Sequence, residues 1–375
     1  MTGPRYSKLI QSLPSSVPFV APEQQERARG EEFSARLGAN ESLFGASPMA
    51  LEAMQEQASA QWKYGDPTSH DLRNALAAHH NIKPENIVVG EGIDGLLGYL
   101  VRLLIEPGDA VVTSDGAYPT FNYHVEGFGG VLHKVSYRDD HEDPDALIAK
   151  ARETNAKLIY LANPDNPMGT WHKGTRIEHA LRDLPEGCLL ILDEAYIDFA
   201  PADTAPTISA NDPRLIRMRT FSKAYGLAGA RVGYAIGTRA LIKNFDKIRN
   251  HFGMNRAAQF GALASLQDQA WLGETYTAVK KARVRIAKIA TQNGLTSLPS
   301  ATNFVAIDCG ADGAFADAVL HALTHLSVFV RKPSVPPQDR YIRVTCGPAS
   351  DLDVLEAALP KALKIAKEQQ KLNDS

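Results

Sequence analysis

The chain has 375 residues, a formal net charge of −3, 44% apolar and 22% charged residues, which fits a soluble globular protein with a sizeable core. This charge gives no electrostatic argument for nucleic acid or an anionic membrane, and no apolar run approaches the roughly 20 residues that span a bilayer. Cys188, Cys309 and Cys346 are scattered and show no metal-ligand spacing, so neither a disulfide framework nor a metal site is expected and a reducing cytoplasm fits.

In chain order, residues 1–45 are punctuated by Pro and Gly and read as an arm lying over a body. The start, MTGPRYSKLI, lacks the apolar core of a secretory signal. Helical periodicity runs over 48–62 and again over 69–80. A short apolar strand, IVVG (87–90), is followed by a helix that stops at Pro107-Gly108. Further strands are predicted at 110–114, 131–135, 158–163, 189–196, 215–222 and 232–237, with a helix over 145–155. One long helical stretch covers 255–293. Strands at 303–308, 328–332 and 341–345 and a final helix from Asp351 complete the chain.

The strands before residue 250 are continuous apolar runs rather than alternating ones, the mark of a sheet covered on both faces. Alternation with helices predicts an α/β fold: a large domain over 46–250 with a mostly parallel sheet covered by helices. Residues 251–375 read as a smaller α+β domain, with the 1–45 arm packing against it.

Unusual polar residues fall at strand ends, where ligands bind in open α/β sheets. They are GEGID (90–94), NPDNP (163–167), DEAY (193–196) and Ser222-Lys223. Taken singly, these are a glycine turn, a rigid loop, a helix cap and a surface lysine. Four such groups at four strand ends suggest one pocket. A helix start binds phosphate, and Arg231 and Ser222 can complete the cup. Asp193 can keep a pyridine nitrogen protonated. Asn166 and Tyr196 can bond a phenolic oxygen, Tyr118 can stack on a flat ring, and Lys223 can form a Schiff base with an aldehyde. Phosphate, protonated pyridine, phenolate and aldehyde together describe pyridoxal 5'-phosphate (PLP).

At this point the chain resembles the fold-type-I PLP enzymes, and most closely the histidinol-phosphate aminotransferase group. The likeness spans nearly the whole chain. It is carried by LGANESLFGASP (37–48), YGDP (64–67), GEGID, AYPTF (117–121), NPDNPMGT (163–170), DEAYIDF (193–199), TFSKAYGLAGARVGY (220–234) and YIRVTCG (341–347). The resemblance implies an aminotransferase that moves an amino group between a histidinol phosphate-like donor and a 2-oxo acid such as 2-oxoglutarate. It implies Lys223 as the Schiff-base lysine, Asp193 at the ring nitrogen, and Asn166 and Tyr196 at the phenolic oxygen. Ile93 and Asp94 would offer backbone N–H groups, with Ser222 and Arg231, to the phosphate, and Tyr118 would stack on the ring. Tyr64 would reach the cofactor phosphate of a neighbouring subunit, hence a homodimer. Arg343 and Arg331 would bind substrate anions, and Asn40 lies in the segment folding over the substrate.

Three departures bear on substrate. Gly95 stands where the family usually has an acidic residue. VPFV (17–20), including Phe19 and Val20, stands where a tyrosine is common, and NHFGMNR (250–256) replaces a segment rich in Pro and small residues. An apolar arm favours an aromatic or other neutral donor. A phosphothreonine-type PLP decarboxylase is the nearest other reaction class. A PLP-binding regulatory module is disfavoured, since no DNA-binding domain fits before the arm.

Overall fold

Short apolar runs bounded by Gly, Pro and polar turns build the central sheet. In the computed structural model, which describes residues 3–15 and 21–373, seven strands lie side by side. Their order is Ile87–Gly90, Gly233–Ile236, Leu215–Thr220, Leu189–Asp193, Leu158–Ala162, Ala110–Ser114 and Val131–Val135. Gly233–Ile236 runs antiparallel to both neighbours, and the other pairs are parallel. Every residue of Leu158–Ala162 and Leu189–Asp193 is buried, as strands covered on both faces require. The helix Gly92–Leu104 covers one face with Leu96, Leu97 and Leu100, and the helices Pro144–Thr154 and Gly174–Arg182 cover the other.

A second body forms around an antiparallel sheet of Tyr341–Thr345, Phe304–Asp308 and Thr296–Ser297. Its core includes Phe304, Ile342, Val319 and Leu355 from the sheet and the helices Gly313–His325 and Ala349–Asn373. The arm joins this body. Ala35–Arg36 pairs in parallel with Val328–Phe329, and Thr345 N–H donates to the Leu37 carbonyl at 2.8 Å.

Several elements differ from expectation: the helix expected over 48–62 ends at Glu56 and a 3-10 turn, Ala58–Ala60, follows it. The predicted helix over 255–293 is two helices, Arg256–Gln267 and Gln269–Gln292, broken at Asp268. Apolar periodicity continues through the break, so the pattern does not mark it. Asp268 caps the second helix by accepting from Trp271 N–H at 3.1 Å, and it also accepts from the Ser47 hydroxyl at 2.5 Å. Ala258, Ala262 and Leu266 of the first helix pack with Ala50, Leu72 and Phe221. Val279, Ile286 and Ile289 of the second pack with Phe304 and Leu355. The stretch assigned to the C-terminal unit is therefore shared between both bodies. The strand expected over 189–196 ends at Asp193, and a 3-10 turn, Ile197–Phe199, follows. The strand expected over 328–332 is only Val328–Phe329; beyond it Arg331 bridges to Arg343.

Arg217 and Arg219 are two residues apart on one strand, so they share a face. Both bond the fully buried Glu194 carboxylate, Arg217 Nη2 at 2.7 Å and Arg219 Nε at 2.8 Å. Burial pushes the Glu194 pKa up, but Arg219 and Arg217 outweigh it and hold the carboxyl below its usual value. Removing one member of such a buried group strands the remaining charges, which costs about 3–5 kcal/mol. Glu194→Gln is expected to lose about that much unfolding free energy at pH 7, read from denaturant midpoints.

Candidate active site

The carboxyl ends of the central strands, the arm and the second body enclose a cavity of about 670 Å³. Asn40, Ile93, Asp94, Tyr118, Asn166, Asp193, Tyr196, Ser222, Lys223, Arg231, Arg331 and Arg343 all line it.

At one side the helix Gly92–Leu104 begins with no side-chain cap, and Ile93 and Asp94 of its first turn line the cavity. Arg231, itself at φ 58, pairs with Asp94 at 3.6 Å and donates to Ser222 Oγ at 3.4 Å. A Cβ on Gly92 (φ 77) would stand 2.6 Å from Arg231 Nη2, so glycine is what lets the guanidinium close on the helix start. Tyr118 donates to Asp94 Oδ1 at 3.0 Å, and burial followed by the Asp94 charge raises its phenol pKa.

Across the floor, Asp193 ends its strand buried. Its Oδ1 accepts from Ala195 N–H at 2.9 Å and its Oδ2 from the Tyr160 hydroxyl at 2.6 Å. Burial pushes its pKa up to about 6. Lys223 Nζ donates to the Asn40 carbonyl at 3.0 Å and stands 5.4 Å from the centroid of the Tyr196 ring. Asn40 sits at φ 56 and donates through Nδ2 to the Tyr196 hydroxyl at 3.3 Å. Asn303 Nδ2 bonds the same Asn40 carbonyl at 3.2 Å.

Arg343 lies at the other side. Its Nη1 donates to Asn166 Oδ1 at 2.5 Å, and its Nε is buried with no hydrogen-bond partner. Burial lowers its pKa to about 10, with Tyr196 opposing and Arg331 adding to the shift. Arg331 is joined to it by backbone bonds, Arg331 N–H to the Arg343 carbonyl at 3.3 Å and the reverse at 2.6 Å.

Tyr64 lies outside this cavity. It is 80% exposed and packs on Phe252 at 4.9 Å. Phe19 and Val20 lie outside the described residues. The segment 250–256 lines none of this cavity; Phe252 meets Tyr64, and Asn250 N–H donates to Tyr99, which donates to Glu91. Gly95 lies one helical turn from Glu91. Sequence reasoning missed Tyr160, Asn303 and the role of Glu194. Tyr160 carried a signal: a tyrosine inside an otherwise apolar, two-face-buried strand needs a partner for its hydroxyl.

The family model for aminotransferases of class I and II matches residues 35–360. The chain belongs to that family. A histidinol-phosphate aminotransferase from Moorella thermoacetica is 31% identical over 96% of this chain and 94% of its own. Another from Carboxydothermus hydrogenoformans, histidinol-phosphate aminotransferase 2, is 32% identical over 91% and 94%. Among solved structures, a histidinol-phosphate aminotransferase from Sinorhizobium meliloti in complex with pyridoxal-5'-phosphate superposes with TM-score 0.94. It is 51% identical and covers 97% of this chain and 98% of that one. An aspartate aminotransferase from Thermus thermophilus with maleate shares the fold, with TM-score 0.79 and 22% identity over 97% and 100%.

The residues of this aminotransferase fit PLP. The uncapped helix start and Arg231 suit a phosphate, and the buried Asp193 suits a cationic ring nitrogen. The unpartnered Arg343 Nε suits an anion. Among the described residues no cluster of metal-ligating side chains is found.

Asp193 makes the cofactor-free protein pH-sensitive. Its folded pKa is raised to about 6 by burial, above the unfolded value. Its contribution is therefore fully present below the unfolded pKa and is lost as pH rises through about 6. Asp193→Asn is expected to flatten this part of the stability profile and to raise apoprotein stability at pH 7.5 by about 2 kcal/mol. The measurement is urea unfolding of both apoproteins at pH 5 and 7.5. The buried Glu142 and Asp165 carboxyls, also raised chiefly by burial, keep some slope of the same sign in both proteins.

Proposed function

We propose that this chain is a PLP-dependent aminotransferase that takes the amino group of histidinol phosphate, or a close amino-alcohol phosphate, and passes it to a 2-oxo acid such as 2-oxoglutarate. One observation carries the reading: Lys223 Nζ shares a single cavity with the buried Asp193 carboxylate, the Arg231 anion cup and the half-satisfied Arg343 guanidinium. The names of the relatives support the substrate, above all that of the 51% identical Sinorhizobium enzyme.

When bound, PLP supplies an aldehyde carbon that takes up an amine and a ring that accepts electrons from the substrate Cα. Ser222, Arg231 and the N–H groups of Ile93 and Asp94 would hold its phosphate. Asp193 would hold a proton at the ring nitrogen, Asn166 and Tyr196 would bond the phenolic oxygen, and Tyr118 would pack on the ring. Lys223 Nζ leaves the Asn40 carbonyl and takes the proton from the substrate Cα. Arg343 binds an anionic group that all substrates share, and Arg331 binds a second, distal anion. Asn40 closes over the reacting atoms from the arm.

The reading includes a homodimer in the cytoplasm. Tyr64 is 80% exposed and its neighbours Trp62 and Phe252 are 80% and 52% exposed, which supports a surface that a second copy covers. Tyr64 then reaches the partner's cofactor phosphate, and the 250–256 segment travels with it. All three cysteines are unpaired, in keeping with a reducing compartment.

Lys223→Ala is expected to cut turnover by roughly 10²–10⁴-fold or more while the protein still retains PLP through its phosphate contacts. Stopped-flow rates and the bound-cofactor spectrum check this, and normal turnover removes the role of Lys223. A donor screen against 2-oxoglutarate should rank histidinol phosphate first; a neutral aromatic donor in that rank overturns the substrate and leaves the reaction class standing. Arg343→Ala should raise KM for every substrate, by about ten- to a hundredfold for a lost charged hydrogen bond. Arg331→Ala should do so only for donors with a second anion. Mixing Tyr64→Ala with Lys223→Ala subunits should restore part of the activity, because one site of the mixed dimer keeps both native residues. No recovery despite demonstrated subunit exchange removes the crossing.

A further inference from the structure

Tyr160 stands in the middle of LIYLA (158–162), where every other residue is apolar. It is fully buried, and its ring stacks on Phe121 with centroids 4.8 Å apart and planes 17° from parallel. Phenylalanine would fill that space equally well, so the hydroxyl is what needs a reason. A buried hydroxyl costs stability unless it is bonded. Its partner is Asp193 Oδ2 at 2.6 Å on the adjacent strand, while Asp193 Oδ1 accepts from Ala195 N–H at 2.9 Å. Two donors on separate oxygens fix both the rotation and the charge of the carboxylate. Tyr160 itself stays a donor, because burial and then the Asp193 charge hold its phenol pKa well above the usual value.

Three influences oppose the ionisation of Asp193. Burial comes first, and Asp94 and Glu194 push the same way. The hydrogen bonds from Tyr160 and Ala195 favour the anion. Ala195 contributes a backbone N–H that any residue but proline would supply there. Tyr160 is the side chain that donates to the carboxylate from the adjacent strand.

We propose that Tyr160 is a positioning residue for amino transfer, acting through Asp193 to keep their shared proton on the cofactor ring nitrogen rather than on the carboxylate. The inference rests on the cofactor reading above. Without the hydroxyl, Asp193 is a stronger base, the proton shifts to it, and the neutral ring is a poorer electron sink.

The test uses holoenzyme loaded with PLP carrying ¹⁵N in the ring. Tyr160→Phe moves the ring-nitrogen resonance toward its unprotonated position. It lowers kcat about ten- to a hundredfold, the range of one charge-assisted hydrogen bond, with KM changed by less than about threefold. In an Asp193→Asn background the same substitution changes kcat by less than about twofold, because the route runs through Asp193. Installing 3-fluorotyrosine at position 160, a stronger donor of similar size, moves the resonance the other way and keeps the test open if the Phe variant folds poorly. An unmoved resonance in Tyr160→Phe, losses that multiply in the double variant, or a fluorotyrosine shift in the same direction as Phe each overturns the proposal. A wild-type protein that retains no labelled cofactor overturns the cofactor reading as well, so the two failures are told apart.

Discussion

The strand Leu189–Asp193 runs out into two consecutive carboxylates that are almost cut off from water, Asp193 and Glu194, at 4% and 1% exposure. Each needs donors, and extended backbone turns successive side chains to opposite sides. Asp193 faces the cavity and Tyr160. Glu194 faces the paired guanidinium groups of Arg217 and Arg219. Much of the polar design of the large sheet answers that one requirement: a tyrosine in an apolar strand on one side and two arginines on a neighbouring strand on the other. The second of these networks lies outside the cavity lining, at the strand end from which the first is presented.

A second junction ties the arm and the smaller body to that floor. Asn40 belongs to the arm, holds a left-handed backbone and accepts through one carbonyl from both Lys223 and Asn303. Its amide N–H and side chain bond Thr345 of the second body, and its Nδ2 bonds Tyr196, just past the end of the strand Leu189–Asp193. An arm residue thus meets Lys223, the floor and the smaller body at once. Asparagine suits the position because it tolerates positive φ better than most residues and still brings a donor and an acceptor.

The sheet and most of the cavity were legible because both are written locally. Continuous apolar runs bounded by turns mark strands covered on both faces, and polar residues at their carboxyl ends mark the ligand side. What was not legible depends on tertiary partners. The break at Asp268 is invisible to periodicity, since the apolar stripe continues and only the contact with Ser47 shows why an aspartate caps there. Asp193 reads as a ligand group, yet nothing local says that Tyr160 is its donor across the sheet. Glu194 lies within a motif and still reads only as its neighbour until the arginines of the next strand come into view. Tyr64 is the reverse case: a motif residue that its own chain leaves on the surface.

Arg343 adds a consequence for how the cavity fills. Its Nη1 is held by the Asn166 side-chain oxygen, a neutral acceptor, while Nε has none. A carboxylate or phosphate is the better acceptor for a guanidinium and can take two of its donors at once. An anion that takes Nη1 as one of those two donors competes with Asn166 for it and leaves that amide oxygen to find another. Occupancy at the guanidinium and orientation of the amide are therefore linked, and thermodynamic linkage works in both directions with equal free energy. A ligand that engages Asn166 from the opposite side alters the affinity of Arg343 for its anion by the same factor, so two ligands in this cavity sense each other without touching.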